Sequence, residues 1–297
     1  MNKFDRSVYS NKEVLEFYRE LPFNFYSSVE KQADSVKNGK KNILANGPLE
    51  KEIKKSKKII DVGCGAGFLS NTISYLHPDK LVYGIDFNDI AINRAKSVSK
   101  KLNLSSKFET ADLFKFFPKV KFNLVISIGV LMHTNNCFEG LNSIIDNMLD
   151  QDGQIYIGLY HLYGRKPFLD YFKNLEKKGF SEEEQIKEYS NFHSNLKDQV
   201  HLKSWFRDQV HHPHEQQFSL EQVVNHLRKK NFIITCTSIN KFENLKFDDQ
   251  DEYNENELKN LFNLEKKYEQ IGLNALDEKR YFPGFFTFFA RKRRIND

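Results

Sequence analysis

The stretch Lys58–Ser70, KIIDVGCGAGFLS, constrains this chain more than any other. Ile59, Ile60 and Val62 form a short apolar run that leads into three glycines two apart, Gly63, Gly65 and Gly67. Phe68, Leu69, Ile73 and Leu76 then recur at helical intervals. The order is strand, tight glycine turn, helix, the opening unit of an α/β sheet that binds a nucleotide-like ligand at its first turn. Glycine is needed there because the turn takes positive φ and must let a ligand approach its backbone.

Spacing and charge narrow the ligand. A nicotinamide fingerprint reads G-x-G-x-x-G/A, and its last small residue lets helix and strand pack closely. Here the third glycine comes one residue early and Phe68 holds the sixth position. Asp61 also precedes the first glycine. A carboxylate so near a helix N-terminus suits a cationic group and would repel a pyrophosphate. S-adenosylmethionine carries an ammonium and a sulfonium and no phosphate. The turn therefore favours that cofactor over a nicotinamide, and an oxidoreductase is the weakest reading.

At 297 residues the chain can hold one large α/β domain with additions, or two small ones. Cys64, Cys137 and Cys236 are far apart and odd in number, so no disulfide framework or cysteine zinc site follows. That usage suits a reducing cytoplasm. The N-terminal MNKFDRSVYSNKEV has no apolar signal region, and no run reaches ~18 apolar residues, so no membrane partner is expected. Net charge is only +5, and the basic runs Lys54–Lys58 and Arg291–Arg294 read as solvated strand flanks. Nucleic acid is thus not the expected partner. With 27 Phe against one Trp, the core must be built largely of phenylalanine, and Phe-rich surfaces would support a homodimer.

Four segments follow from the pattern. Residues 1–50 read as an N-terminal helical lid: an amphipathic helix through Val14, Leu15, Phe17, Tyr18 and Leu21 stops at Pro22, and a second begins at Ser27 or Ser28. Residues 51–161 read as the ligand-binding core, with strands at 81–87, 107–113, within 122–133 and at 154–161. A helix over 89–101 and another from Phe138 to Leu149, closed at Gly153, separate them. Residues 162–217 break the rhythm and read as a helical insertion, with helices near 167–178 and 181–197. Residues 218–297 complete the sheet through a helix at 220–230, a strand at 231–239, a charged helical insertion at 241–280 and the strand FFTFFAR.

Asp61, Asp86 and Asp112 each stand at a strand end, where ligands of open α/β sheets bind. One such aspartate alone would imply a helix cap. Three in register with a glycine turn point to a ligand. IIDVGCGAG, GIDF, ADL and SIGVLMHT together resemble a class I S-adenosylmethionine-dependent methyltransferase, over residues 58–161 and again in the final strands. The resemblance implies a Rossmann-like seven-stranded sheet, mostly parallel, with an antiparallel last strand beside the fifth. It implies that Asp61, Gly63, Cys64, Gly65 and Gly67 surround the methionine end and Asp86 takes the ribose. Asp112, with Phe87 and Leu113, would take the adenine. Ile128, in SIGVLMHT, would lie on the floor near the methyl group. The flanks LPFNFYSSVE, GLYHLYGRKPFLDYF, HLKSWFRDQVHHPHEQQFSLEQV and RYFPGFF resemble a bacterial subgroup of these enzymes and name no acceptor.

Acceptor groups are sought after the fifth strand. His161 and His133 are candidate bases and Arg165 a candidate clamp for an anionic acceptor, with Tyr160 and Tyr163 alongside. The run HHPHE invites a metal reading, but Pro213 kinks it and the i, i+4 histidine pair is absent, so no metal is expected. His214 and Glu215 are placed instead at the acceptor pocket, where Trp205, Arg207 and Asp208 could share the work. Tyr18, Phe23, Asn24 and Tyr26 are candidates to close over the site. The expected activity is methyl transfer to an oxygen or nitrogen of a small polar metabolite. The alternatives are an RNA- or tRNA-modifying methyltransferase and a non-catalytic cofactor-binding partner.

Overall fold

The structure, a computed structural model, describes residues 4–39, 47–193, 195–242 and 253–293. Parts of the expected lid (1–3, 40–46), the insertion (194), the charged segment (243–252) and the basic tail (294–297) lie outside the described residues. Helices α1 (Phe4–Glu20), α2 (Val29–Asn38) and α3 (Gly47–Lys55) precede the sheet. The core alternates β1 (Lys58–Val62), α4 (Phe68–Leu76), β2 (Leu81–Asp86), α5 (Asp89–Lys101), β3 (Lys107–Thr110), β4 (Phe122–Ile128), α6 (Cys137–Ser143) and β5 (Leu149–Tyr160). Three inserted helices follow, α7 (Arg165–Lys177), α8 (Glu182–Phe192) and α9 (Gln199–Val210). Then come α10 (Leu220–Lys229), β6 (Phe232–Thr237), α11 (Glu255–Glu265), α12 (Tyr268–Asp277) and β7 (Phe285–Lys292).

The strands form one seven-stranded sheet in the order β3-β2-β1-β4-β5-β7-β6. β1 to β5 pair in parallel, while β7 runs antiparallel between β5 and β6. This is the expected Rossmann-like class with its antiparallel last strand. Both faces are covered, so β1 reads as continuous burial rather than alternation. Ile59 faces Leu49, Ile53 and Ile73 of α3 and α4. Ile60 and Val62 face the larger cluster with Leu141, Val223 and Leu258 of α6, α10 and α11. β7 shows the period of two: Phe286, Phe288 and Ala290 join the larger cluster, and Phe289 the other. The insertion has a separate core of Phe168, Phe172, Tyr189, Phe192 and Phe206.

Local signals explain most element ends. Ser28 accepts from the Lys31 amide at the start of α2, and Ser219 forms a capping box with Gln222 at α10. Three expectations are corrected. Gly153 does not close a helix. The helical path ends in a π turn at Ile144–Met148, and Gly153 lies inside β5, beside a bulge where the register jumps from Leu149 to Gln154. β3 stops at Thr110, two residues before Asp112, whose Oδ1 instead accepts from the Phe114 amide. The helix expected over 181–197 ends at Phe192, and the run that begins at Trp205 continues a further helix, α9.

Gly284 joins the sheet to the insertion. Its φ is +67°, and an added Cβ would lie 2.2 Å from the Arg165 backbone nitrogen. Its carbonyl accepts from the His161 amide at 2.8 Å. Gly179, just past α7, also has positive φ (+82°) but nothing within 4 Å of an added Cβ. Gly284→Ala should cost about 3 kcal/mol through strain and overlap together, and Gly179→Ala about 1 kcal/mol. Urea denaturation of the two variants compares them directly.

Candidate functional site

Strand order reverses between β1 and β4, and the carboxyl ends of the strands there carry the candidate site. Gly63, Gly65 and Gly67 all take positive φ. The amides of Gly63 and Cys64 both donate to the Ile85 carbonyl, tying the turn to β2. A Cβ on Gly63 would overlap Val130 and one on Gly67 would overlap Ala95, whereas Gly65 meets only the Phe23 carbonyl oxygen, at 4.0 Å. The turn is thus packed from below and open above Gly65. The Cys64 thiol is buried, and burial, with Asp61 and Asp86 adding to it, pushes its pKa well up. It remains an unionised packing group.

Two carboxylates crowd this turn. Asp61 is buried and accepts from the Ser70 hydroxyl at 2.7 Å. Asp86 accepts from the Gly65 amide through Oδ2 and from the Asn88 amide through Oδ1, both at 2.8 Å. No lysine or arginine pairs with either among the described residues. Burial raises both pKa values to about 6, and the Asp86 charge adds to the rise at Asp61. Phe87 and Leu113 are half-buried at the ends of β2 and past β3, with Asp112 between the strand and the next turn. Ile128 ends β4 partly exposed.

The N-terminal segment crosses these strand ends as a strap. The Tyr18 carbonyl accepts from Asn88 Nδ2 at 2.8 Å, Arg19 pairs with Asp89, and Arg94 donates to the Tyr26 carbonyl. On its other side the strap grips the insertion. Tyr18 donates to Asp208 on α9 at 2.6 Å, Asn24 Oδ1 accepts from Trp205, and the Phe25 amide donates to Ser204. Tyr26 stacks on His201 at 3.9 Å within this interface.

Beneath the strap lies a group of rings. His133 sits on a 3₁₀ turn after β4, and its ring is 3.7 Å from that of His212. The His212 ring also meets Phe17 and Tyr18. Tyr160 packs edge-on to His133 and lies under the Arg165 guanidinium, 3.8 Å away. Three buried atoms here have no hydrogen-bond partner among the described residues: His133 Nε2, His212 Nε2 and the Tyr160 hydroxyl.

The structure gives two of the expected catalytic residues other work. His161 is fully buried, with the Gly164 amide donating to Nδ1 and Nε2 facing Glu265 at 3.1 Å. Both nitrogens are committed, so it serves as a tie rather than as a base. Arg165 is also fully buried, and it spends four of its five N–H groups on Glu215, the Gln209 carbonyl and the Pro283 carbonyl. It is a structural clamp, and Glu215 is its partner rather than an acceptor ligand. His214 Nε2 meets the Thr134 carbonyl, and Tyr163 packs beside His161. Sequence reasoning missed Glu265, which also accepts from the Leu220 amide. Nothing marks it within a charged segment whose neighbours are solvated.

With this geometry in hand, a family model described as a methyltransferase domain matches residues 53–272. The chain belongs to that family. Its fold is that of the class I S-adenosylmethionine-dependent methyltransferases. Among curated relatives, a sterol 24-C-methyltransferase of Pneumocystis carinii is 35% identical over 104 residues, covering 34% of this chain and 27% of that one. A malonyl-[acyl-carrier protein] O-methyltransferase of Ilyobacter polytropus is 28% identical over 120 residues, covering 40% and 44%. The matched segments therefore span less than half of those relatives. The structure of PKMT2 from Rickettsia typhi with S-adenosylhomocysteine superimposes with a TM-score of 0.54 at 12% identity, over 82% of this chain and 50% of that one. At that identity the likeness is one of fold.

The methyltransferase's glycine turn suits this cofactor on its own chemistry. Buried Asp61 and half-buried Asp86, without a counter-ion among the described residues, could offer one acceptor to an ammonium and one to a diol, and the space above Gly65 is open. A carboxyl whose folded pKa is raised contributes stability at low pH that is lost as pH climbs from about 4 through about 6. The rise from 3.8 to about 6 at Asp61 corresponds to about 3 kcal/mol against its ionised form, as an upper bound. Asp61→Asn should therefore raise the melting temperature of the free methyltransferase more at pH 8 than at pH 5, as read by scanning fluorimetry.

Proposed function

We propose that the enzyme transfers a methyl group from S-adenosylmethionine to an oxygen or nitrogen of a small polar acceptor enclosed beneath the strap. The observation that carries this reading is the bridge from Asn88 through Tyr18 to Asp208, which spans the strand ends from the cofactor side to the insertion. A strap held at both edges suits an acceptor that enters whole, and a polymer would have to thread beneath it.

Asp61 and the backbone of the glycine turn would hold the methionine end, Asp86 the ribose diol, and Asp112 with Leu113 and Phe87 the adenine. The bound cofactor supplies an electrophilic methyl on a sulfonium. The chain's own part is to align the acceptor, exclude water and receive any proton released. Phe17, Tyr18 and Tyr160 supply aromatic walls, and such walls favour a cationic centre in a dry site.

Calorimetry with S-adenosylhomocysteine should give saturable binding at one site, and a flat titration would sink the proposal. Asp86→Ala should weaken that binding about 10- to 100-fold, the worth of hydrogen bonds to a charged acceptor. A circular dichroism spectrum of the variant separates lost affinity from lost fold, and unchanged affinity would remove the ribose role.

A further inference from the structure

We propose that His133 and His212 together form the acceptor site, that they select a neutral hydroxyl, and that the reaction is O-methylation with His133 as the base. The proposal rests on the methyl-transfer reading above and narrows its acceptor from oxygen or nitrogen to oxygen.

One residue, His214, sets the protons on both rings, through its carbonyl and its amide. His133 Nδ1 lies 2.9 Å from the His214 carbonyl oxygen, which can only accept. Nδ1 of His133 therefore carries the proton, and its Nε2 bears a lone pair. The His214 amide donates to His212 Nδ1 at 3.1 Å. In a neutral His212 the proton must then sit on Nε2. Pro213 makes the second contact possible, because its fixed φ turns the chain so that the amide two residues on meets the imidazole. Burial pushes both histidine pKa values down, which keeps the rings neutral.

The two free atoms are thus an acceptor, His133 Nε2, and a donor, His212 Nε2–H. Both are buried and unpartnered among the described residues, on rings 3.7 Å apart. An unmade hydrogen bond of this kind costs about 1–3 kcal/mol, and a guest that donates to one ring and accepts from the other removes both penalties. A hydroxyl does this at a single atom.

Lone-pair count separates oxygen from nitrogen. A hydroxyl oxygen that donates to His133 and accepts from His212 keeps a second lone pair for attack on carbon. A neutral amine has one lone pair, and the His212 N–H would take it. In the step itself the oxygen forms its bond to the methyl carbon as the carbon–sulfur bond breaks and its electron pair stays on sulfur. The hydroxyl proton passes to His133 Nε2, and the imidazolium then releases it to solvent. Asp208, fixed by Tyr18 and Gln209, is the anion that stabilises that imidazolium. It acts through His133 and is a positioning residue.

His133, Asp208 and His212 also offer ligand atoms that all lie within 4.8 Å of one another, the spacing of a metal triad. A metal needs a bare ring nitrogen, yet His212 holds the His214 amide on one nitrogen and a proton on the other. Coordination would break that bond, so the geometry favours the hydroxyl.

Three measurements on the full chain decide the matter. Long-range proton–nitrogen correlation spectra of ¹⁵N-histidine protein at pH 7.5 should show His133 protonated on Nδ1 and His212 on Nε2. Any other pairing of tautomers overturns the proposal. After equilibration with Zn²⁺ and desalting, elemental analysis should find less than a tenth of an equivalent. One equivalent that disappears in His133→Gln would replace the hydroxyl site by a metal site. With methyl-labelled cofactor and fractionated cell metabolites, the label should be recovered on oxygen, and His133→Gln should slow that transfer about 100-fold or more while S-adenosylhomocysteine affinity stays within threefold. Label on nitrogen or carbon, with cofactor binding intact, overturns only this proposal. Absence of cofactor binding overturns the function on which it rests.

Discussion

The Arg165 guanidinium is the interaction on which the packing of the inserted helices against the sheet depends. It is fully buried, forms a two-point contact with Glu215, holds the Gln209 and Pro283 carbonyls, and lies over Tyr160. Those contacts join the end of β5, the end of α9, the HHPHE run and the approach to β7. Breaking a buried pair of this kind by removing one partner costs about 3–5 kcal/mol, because the charge left behind has no solvent. With Glu215 fixed, His214 can reach Thr134 and His133, and His212 is held against the 3₁₀ turn. The ring pair is therefore a consequence of a clamp several residues away.

How much of this was legible in the sequence follows the range of the forces involved. The glycine turn, α5, α10 and β7 were readable because glycine φ, capping serines and apolar periodicity act within a few residues. Gly153 misled because glycine answers two different demands, the positive φ of a helix C-cap and the lack of room for a Cβ beside a crowded bulge, and only the second applies here. Only the pairing of β5 with β4 tells them apart. The sequence suggests His161 as a base and Arg165 as a clamp for an anionic acceptor, whereas the structure commits both to partners within the fold. Their roles were not readable, since Glu265 lies 104 residues from His161 and Glu215 lies 50 from Arg165.

The same limit hid the ring cluster. His133, Tyr160 and Asp208 each drew attention separately. No local pattern shows that a His-Pro-His turn presents the carbonyl and the amide of its last residue to two imidazoles. The i, i+4 rule for histidine ligands looks along one helix, whereas this pair joins a turn after β4 to a turn after α9.

A continuous chain of contacts links the two halves of the site. The Asp86 carboxylate accepts from the Asn88 amide, the Asn88 side chain donates to the Tyr18 carbonyl, and the Tyr18 hydroxyl donates to Asp208. Asp208 in turn supplies the anionic field at His133. The free protein holds its carboxylates at a cost, with pKa values near 6 at both Asp61 and Asp86. A cationic ligand at the turn, as proposed, would relieve that cost where it arises. The turn and the strap are joined through shared residues: Asp86 holds the Asn88 amide, and the Asn88 side chain holds the strap at Tyr18.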